Sequence, residues 1–212
     1  MNDERPEAII DGPADPDGAV ARAGAELESG GVVIVATDTV YGLAARVGDD
    51  AAIDEMFALK DRPADRRVAV LVADVEQATD LVELCDGARA LVDSFWPGPL
   101  TIVAPRRPGA PGGVGDGHTI GVRCPDDPVL RAIAARVGPL AATSANRHGR
   151  PTPTRAAEVA EIFPGVRVVV DGGERPGSAS TVVDLGQETL TVLRPGPIDE
   201  DRLREVFDTG LR

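Results

Sequence analysis

Short β-branched runs alternate along the chain with stretches whose apolar positions recur every three or four residues, and this pattern predicts an α/β fold. Ala19 to Ser29 reads as a first helix closed by Gly30-Gly31, and Val32 to Ala36 is a continuous apolar run expected of a buried strand. Ala51 to Lys60 places Ile53, Met56, Phe57 and Lys60 at helical spacing, and Pro63 ends it. Val68 to Val72 predicts a strand. Asp74 with Gln77 three residues on has the form of a capping box. Ala88 to Trp96 predicts a helix stopped by Pro97-Gly98-Pro99, and Leu100 to Ala104 and Thr119 to Cys124 predict strands around a Gly/Pro-rich loop, Pro108 to Gly117. Asp127 caps a helix that has Pro128 at its first position and ends at Gly138. Leu140 to Ala142 predicts a short strand, and Thr154 starts a helix running to about Phe163. Val166 to Val170, Thr181 to Leu185 and Thr189 to Leu193 predict strands, the last two a hairpin across Gly186-Gln187. A final helix covers Asp199 to Phe207. Hairpins and crossovers together imply one mixed, twisted sheet with flanking helices.

Composition narrows the class. The 212 residues suffice for one substantial core, and aromatics are 3%, so that core is aliphatic. Residues 1–18 carry six acids and one arginine, which predicts an acidic tail and no signal peptide; the domain then spans 19–198, with a C-terminal helix and tail over 199–212. No apolar run reaches the ~20 residues that span a bilayer, and Cys85 and Cys124 are too isolated for a disulfide framework or a zinc site. The expectation is a cytoplasmic protein without membrane partners.

The net charge is −13, which disfavours a general electrostatic grip on nucleic acid. Against that background Pro128 to Ala157 holds Arg131, Arg136, Arg147, Arg150 and Arg155 and no acid. Within this window lie Thr143-Ser144-Ala145-Asn146 and Pro151-Thr152-Pro153-Thr154, hydroxyl-rich segments suited either to a solvated basic face or to holding phosphate. Thr37-Asp38-Thr39-Val40-Tyr41-Gly42-Leu43 follows a buried strand, where ligands sit in α/β sheets, though a plain capped turn has the same composition. Lys60, Arg62, Arg66 and Arg67 cluster after a helix and either complement its dipole or bind a polyanion. Lys60 is the one lysine beside 21 arginines. The chain has no phosphate-binding P-loop and no nucleophile elbow around Ser144, and His118 and His148 sit beside glycines as loop residues do. The inventory favours binding an anionic ligand with Arg, Lys and hydroxyls.

Six segments taken in order, Thr37-Asp38-Thr39-Val40-Tyr41-Gly42-Leu43, Lys60-x-Arg62-Pro63, Trp96-Pro97-Gly98-Pro99-Leu100-Thr101, Val122-Arg123-x-Pro125, Ser144-Ala145-Asn146 and Leu193-Arg194-Pro195-Gly196, resemble the motifs of the YrdC/TsaC family, the L-threonylcarbamoyladenylate synthases. Asp171-Gly172-Gly173 and Ser180-Thr181-Val182-Val183-Asp184 also follow the family's pattern, and the likeness spans about Ala19 to Ile198. The resemblance implies a YrdC-like twisted mixed sheet with a large concave groove. It implies that L-threonine, bicarbonate and ATP give threonylcarbamoyl-AMP and pyrophosphate, with Mg²⁺ accompanying ATP. A threonylcarbamoyl transferase complex then acts on tRNA. By position, Lys60 and Arg62 would carry catalysis; Lys60, Arg62, Thr119, Ser144, Asn146, Thr152 and Arg194 would contact ATP; Thr39, Arg123 and Ser180 would contact threonine. The residues that would hold a metal are left unassigned. Arg66 stands where many members have Asn or Lys, and Leu71 where some have a threonine-touching His. The Pro108–Gly117 loop is a candidate lid over the labile product.

Two other readings compete. A double-stranded RNA or tRNA-binding module would use the same groove, but the charge and the few aromatics speak against it. The YrdC-like domain of hydrogenase-maturation carbamoyltransferases sits in much larger chains with zinc-finger and acylphosphatase segments that this sequence lacks.

Overall fold

The computed structural model describes residues 8–60, 68–147, 149–175, 177–185 and 189–211. In chain order the elements are β1 (Ala8–Asp11), α1 (Pro16–Glu28), β2 (Val33–Ala36), β3 (Tyr41–Arg46), α2 (Asp50–Ala58), β4 (Ala69–Leu71), α3 (Val75–Thr79) and α4 (Asp86–Phe95). There follow β5 (Leu100–Pro105), β6 (Thr119–Arg123), α5 (Pro128–Val137), β7 (Leu140–Ser144), α6 (Ala156–Ile162), β8 (Val168–Asp171), β9 (Thr181–Asp184), β10 (Thr191–Arg194) and α7 (Glu200–Gly210). The strands form one mixed sheet in the order β1-β8-β2-β3-β7-β4-β6-β5-β9-β10. β1, β8 and β2 run parallel, as do β4 with β6 and β5 with β9; the other neighbours are antiparallel. The predicted β9–β10 hairpin is antiparallel, although its turn at 186–188 lies outside the described residues.

Acids start the helices. Asp15, Asp49, Asp74, Asp127 and Asp199 each accept a backbone N–H as N-caps, satisfying donors that a helix leaves open and placing negative charge at the positive end of its dipole. Part of the acid excess therefore serves helix initiation. The expected capping box at Asp74 is half formed. Asp74 accepts from Gln77 N at 2.8 Å, but the Gln77 amide accepts from Ala73 N and donates to Ala134 O, tying α3 to α5. The helix expected to begin at Thr154 has Arg155 at its N-cap and no side-chain cap.

Two strands depart from the sequence expectation. Ala8–Asp11 is β1 and pairs with Val168–Asp171, so the tail expected over 1–18 is ordered sheet and helix from Ala8 onward. Its partner is about 160 residues away, and three apolar residues carry no local sign of that pairing. Tyr41–Arg46 is β3, which extends the motif after β2 into a hairpin and then pairs with β7. At the C-terminus α7 packs on α4; a Cβ on Gly87 would meet the Phe207 ring at 2.6 Å, so only glycine admits this approach.

The sheet's two faces are covered unequally. One carries α2, α3, α4, α6 and α7 over an aliphatic core including Ile34, Leu43, Val70, Ile102, Val122 and Phe163. The other carries only α1 and α5, packed over Val33, Val35, Leu140, Val168 and Val170. On that second face the strands beyond the helix pair keep an open surface. The Pro108–Gly117 loop does not reach it. The Arg106 guanidinium donates to the carbonyls of Ala110, Pro111 and Val114, and Val114 is buried in the opposite core. The loop expected to act as a lid is a pinned part of the far side.

Candidate functional site

The open surface is the floor of a cavity of about 430 Å³. Side chains alternate along strands, so Gly42 of β3, Ala142 and Ser144 of β7, Ala69 and Leu71 of β4 and Arg123 of β6 all point to this face. Small residues dominate the floor and leave room above it. Among the described residues its charged lining is Arg123, Arg150 and Arg194, with no acid.

At one end Arg123 is fixed before any ligand arrives. Trp96-Pro97-Gly98-Pro99 ends α4 in a tight bend with a cis Trp96–Pro97 bond, held by the indole N–H donating to Leu100 O at 2.7 Å and by Gly98 N donating to Cys124 O at 2.9 Å. A Cβ on Gly98 would lie 2.5 Å from Phe95 O. The bend aims the Gly98 carbonyl at Arg123 Nε, 3.1 Å away. Thr37 builds the other support. Its hydroxyl accepts from the N–H groups of Thr39 and Val40 and donates to Val40 O, closing the β2–β3 turn. Thr39 Oγ1 then lies 2.9 Å from both Thr37 Oγ1 and Arg123 Nη1. Asp38 completes the set with an ion pair to Arg123 Nη2 at 2.5 Å. Burial pulls the guanidinium's pKa down and Asp38 opposes that shift. The result is a buried cation held by a carbonyl, a hydroxyl and a carboxylate.

Ser180 and Arg194 adjoin this end. The Arg194 guanidinium donates twice to Ser180 O, at 3.0 and 2.9 Å, and once to Ser180 Oγ at 3.0 Å, while Ser180 Oγ lies 2.9 Å from Thr101 Oγ1. An irregular register between Val192 and Arg194 re-aims the arginine inward from an edge strand. Burial also lowers the Arg194 pKa.

Lys60 organises the other end. It is 3% exposed, directly after α2, and its ammonium donates to Thr143 Oγ1 at 3.1 Å, to Asn146 Oδ1 at 3.4 Å and to Ser144 O. Ser144 Oγ donates to Asn146 Oδ1, and Asn146 Nδ2 donates to Arg147 O at 3.0 Å and Arg150 O at 2.6 Å. Lys60 thus stands behind the wall that Ser144, Asn146 and Thr152 present to the cavity.

Seven expected residues, Thr39, Arg123, Ser144, Asn146, Thr152, Ser180 and Arg194, line one cavity. Thr119 is not brought to it; its hydroxyl bonds Asp116 at 3.1 Å, at the opposite end of β6 from Arg123. Arg62, Arg66 and Arg67 lie outside the described residues. Leu71 gives the cavity an apolar wall where the family comparison placed a polar contact. The sole tyrosine is a strut. Tyr41 OH lies 2.8 Å from Asp171 Oδ1 and 2.7 Å from Gly173 O, and burial together with Asp171 pushes its pKa up.

Sequence reasoning missed Asp38 and Thr101 as supports, and Arg150 as a lining residue. The first two lie inside quoted motifs; Arg150 was visible only as one of five window arginines. The other four are engaged elsewhere: Arg131 with Ala73 O, Arg136 with Glu28, Arg155 with Glu174, and Arg147 with the carbonyls of Leu59 and Ile162 and the Phe163 ring. Among the described residues no group of three or more His, Cys, Asp or Glu is placed to hold a metal ion, and both cysteines are free thiols. No helix among them is long and apolar enough to cross a membrane.

The model of the Sua5/YciO/YrdC family, described as "Telomere recombination", matches residues 25–196. A Pyrococcus abyssi protein named threonylcarbamoyl-AMP synthase is 39% identical over 186 residues, covering 85% of this chain and 55% of that protein. A Pseudomonas putida protein of the same name is 34% identical over 181 residues, covering 84% of this chain and 97% of that one. The crystal structure of P. abyssi Sua5 complexed with L-threonine superposes with a TM-score of 0.82 at 36% identity, over 88% of this chain and 56% of that chain. The chain spans about half the length of the P. abyssi protein and nearly all of the P. putida one.

Proposed function

The chain belongs to the Sua5/YciO/YrdC family, and from that premise we propose that it is a threonylcarbamoyl-AMP synthase, joining L-threonine, bicarbonate and ATP with release of pyrophosphate and water. The single observation that carries this reading is the cavity's charge: among the described residues three arginines, hydroxyls and an amide line it, with no acid, in a chain of net charge −13. Such a wall suits a ligand pair that is anionic throughout, a carboxylate at one end and a polyphosphate at the other.

The chemistry fits these groups. The threonine amine combines with CO₂, formed from bicarbonate, and loses a proton to give a carbamate. A carbamate oxygen attacks the α-phosphorus, and the bond to the bridging oxygen of the β-phosphate breaks. The nucleophile is already an anion, so the protein's task is orientation and charge neutralisation, with no strong base required. In this assignment Arg123, Thr39 and Ser180 take threonine, and Ser144, Asn146, Thr152 and Arg194 take ATP. Lys60 acts from behind through Ser144 and Asn146, and Arg62 keeps the nucleotide role that the family implies, whereas Thr119, turned to Asp116 at the far end of β6, takes none. The described wall offers no carboxylate for a dedicated Mg²⁺ site, so Mg²⁺ enters the proposal only as a companion of the nucleotide's own phosphates. The product is an activated acyl donor, to be consumed by a transferase complex acting on tRNA in the cytoplasm. The reaction class is nucleotidyl transfer.

The test is pyrophosphate release from ATP. Release that requires both L-threonine and bicarbonate is expected; release with neither, or none at all, would overturn the proposal. The RNA-binding alternative is checked by tRNA affinity against salt: tight, salt-steep binding without ATP chemistry would favour it.

A further inference from the structure

We infer that Arg150 is a polyphosphate-binding residue of this cavity, an inference that rests on the proposed use of ATP. The turn bearing it is built, not incidental. Arg150 N donates to Arg147 O at 3.0 Å, Arg150 O accepts from Asn146 Nδ2 at 2.6 Å, and Gly149 supplies the left-handed backbone, φ 73°, that lets the chain reverse there. Arg147 fastens the start of the turn to α2 and α6 through Leu59 O and Ile162 O. Pro151 and Pro153 restrict the backbone that follows. The position of Arg150 is thereby coupled to Asn146, and through Asn146 to Lys60 and Ser144.

The side chain itself is left over. Arg123 is paired with Asp38, and Arg194 is bonded to Ser180. Among the described residues the Arg150 guanidinium makes no hydrogen bond or ion pair, although it lines the cavity and no acid lines that cavity with it. An unengaged guanidinium beside Ser144, Asn146 and Thr152 can donate to two phosphate oxygens at once, with little reorganisation of the wall. Its exposure places it at the rim, in contact with water, a position that suits the β- and γ-phosphates and a departing pyrophosphate. The role is specific to the polyphosphate and does not extend to the adenylate half.

Isothermal titration of α,β-methylene-ATP and of AMP into native protein, Arg150→Ala and Arg150→Lys tests this. The expected result is a Kd for the ATP analogue raised roughly tenfold in Arg150→Ala, about the loss of one charge-assisted contact, with AMP binding within about twofold of native. Arg150→Lys should recover part of the loss. Equal analogue affinity in native and Arg150→Ala protein would overturn the inference and leave the synthase reading standing. Equal weakening for AMP and the analogue would also overturn it, since that marks damage to the whole site. Failure of the native chain to bind the analogue would overturn both readings.

Discussion

At the Arg123 end of the cavity the guanidinium is 4% exposed and already holds Gly98 O, Thr39 Oγ1 and Asp38. At the other end Arg150 is exposed and its side chain holds nothing among the described residues. Both are arginines on one wall, yet one is part of the fold and the other a reserve of charge. A buried charge must be paired to be tolerated, so the Arg123 end is rigid and matched to a small ligand of fixed shape. A rim charge stays hydrated at little cost and suits a flexible chain of phosphates that enters and leaves.

Breaking the buried end should have the largest effect. Arg123→Ala strands Asp38 beside two hydroxyls and is expected to lower stability by about 3–5 kcal/mol, with adenylate synthesis lost. Denaturant melts and pyrophosphate release measure the two. The double variant Asp38→Ala/Arg123→Ala sharpens the comparison: it should regain most of the stability and none of the activity, because the uncompensated carboxylate is gone but the proposed threonine anchor is still missing.

Lys60→Arg comes next. The ammonium sits in a closed socket of Thr143, Ser144 and Asn146, and a planar guanidinium overfills it. Activity should drop more than tenfold while the chain still folds, at a cost of about 1–3 kcal/mol from overpacking. Turnover near native would reduce the lone lysine to an accident of composition.

Tyr41→Phe probes a strut shared by the turn and the 171–173 segment. Losing its hydrogen bonds should cost about 1–2 kcal/mol. Because the folded state raises the phenol's pKa from its ordinary 10.0, the unfolded chain loses this proton first. The native protein should therefore be pH-insensitive in this respect below about 10 and lose stability above it, and Tyr41→Phe should flatten that alkaline limb in thermal melts. The smallest effect belongs to Arg136→Ala. Its pair with Glu28 is solvent-exposed, so stability should move by no more than about 0.5 kcal/mol and activity not at all. A large activity loss there would mean that the basic window acts as a field and not through Arg150.

Much of the fold was legible. The apolar run at Val33–Ala36 and the Asp127-Pro128 start with its Gly138 stop appear where local chemistry puts them, since caps and turn residues act within a few positions. The pairings of β1 and β3 were not, because their partners lie in β8 and β7 and a strand of four to six residues carries no address for a distant neighbour. The site shows the same division. Motif order brought forward Thr39, Arg123, Ser180, Ser144, Asn146, Thr152 and Arg194, and the cavity gathers them. It did not show that Lys60 stands behind the wall or that Thr119 turns to Asp116.

By itself the sequence determined residue type, helix starts and stops, and the charge contrast between the Pro128–Ala157 window and the acidic remainder. The tertiary structure alone decided which of five window arginines lines the cavity. The physical reason is that a guanidinium's fate depends on the nearest acid or carbonyl in space. Glu28 and Glu174 reach Arg136 and Arg155, carbonyls take Arg131 and Arg147, and only the fold leaves Arg150 beside a cavity with no acid among its described lining.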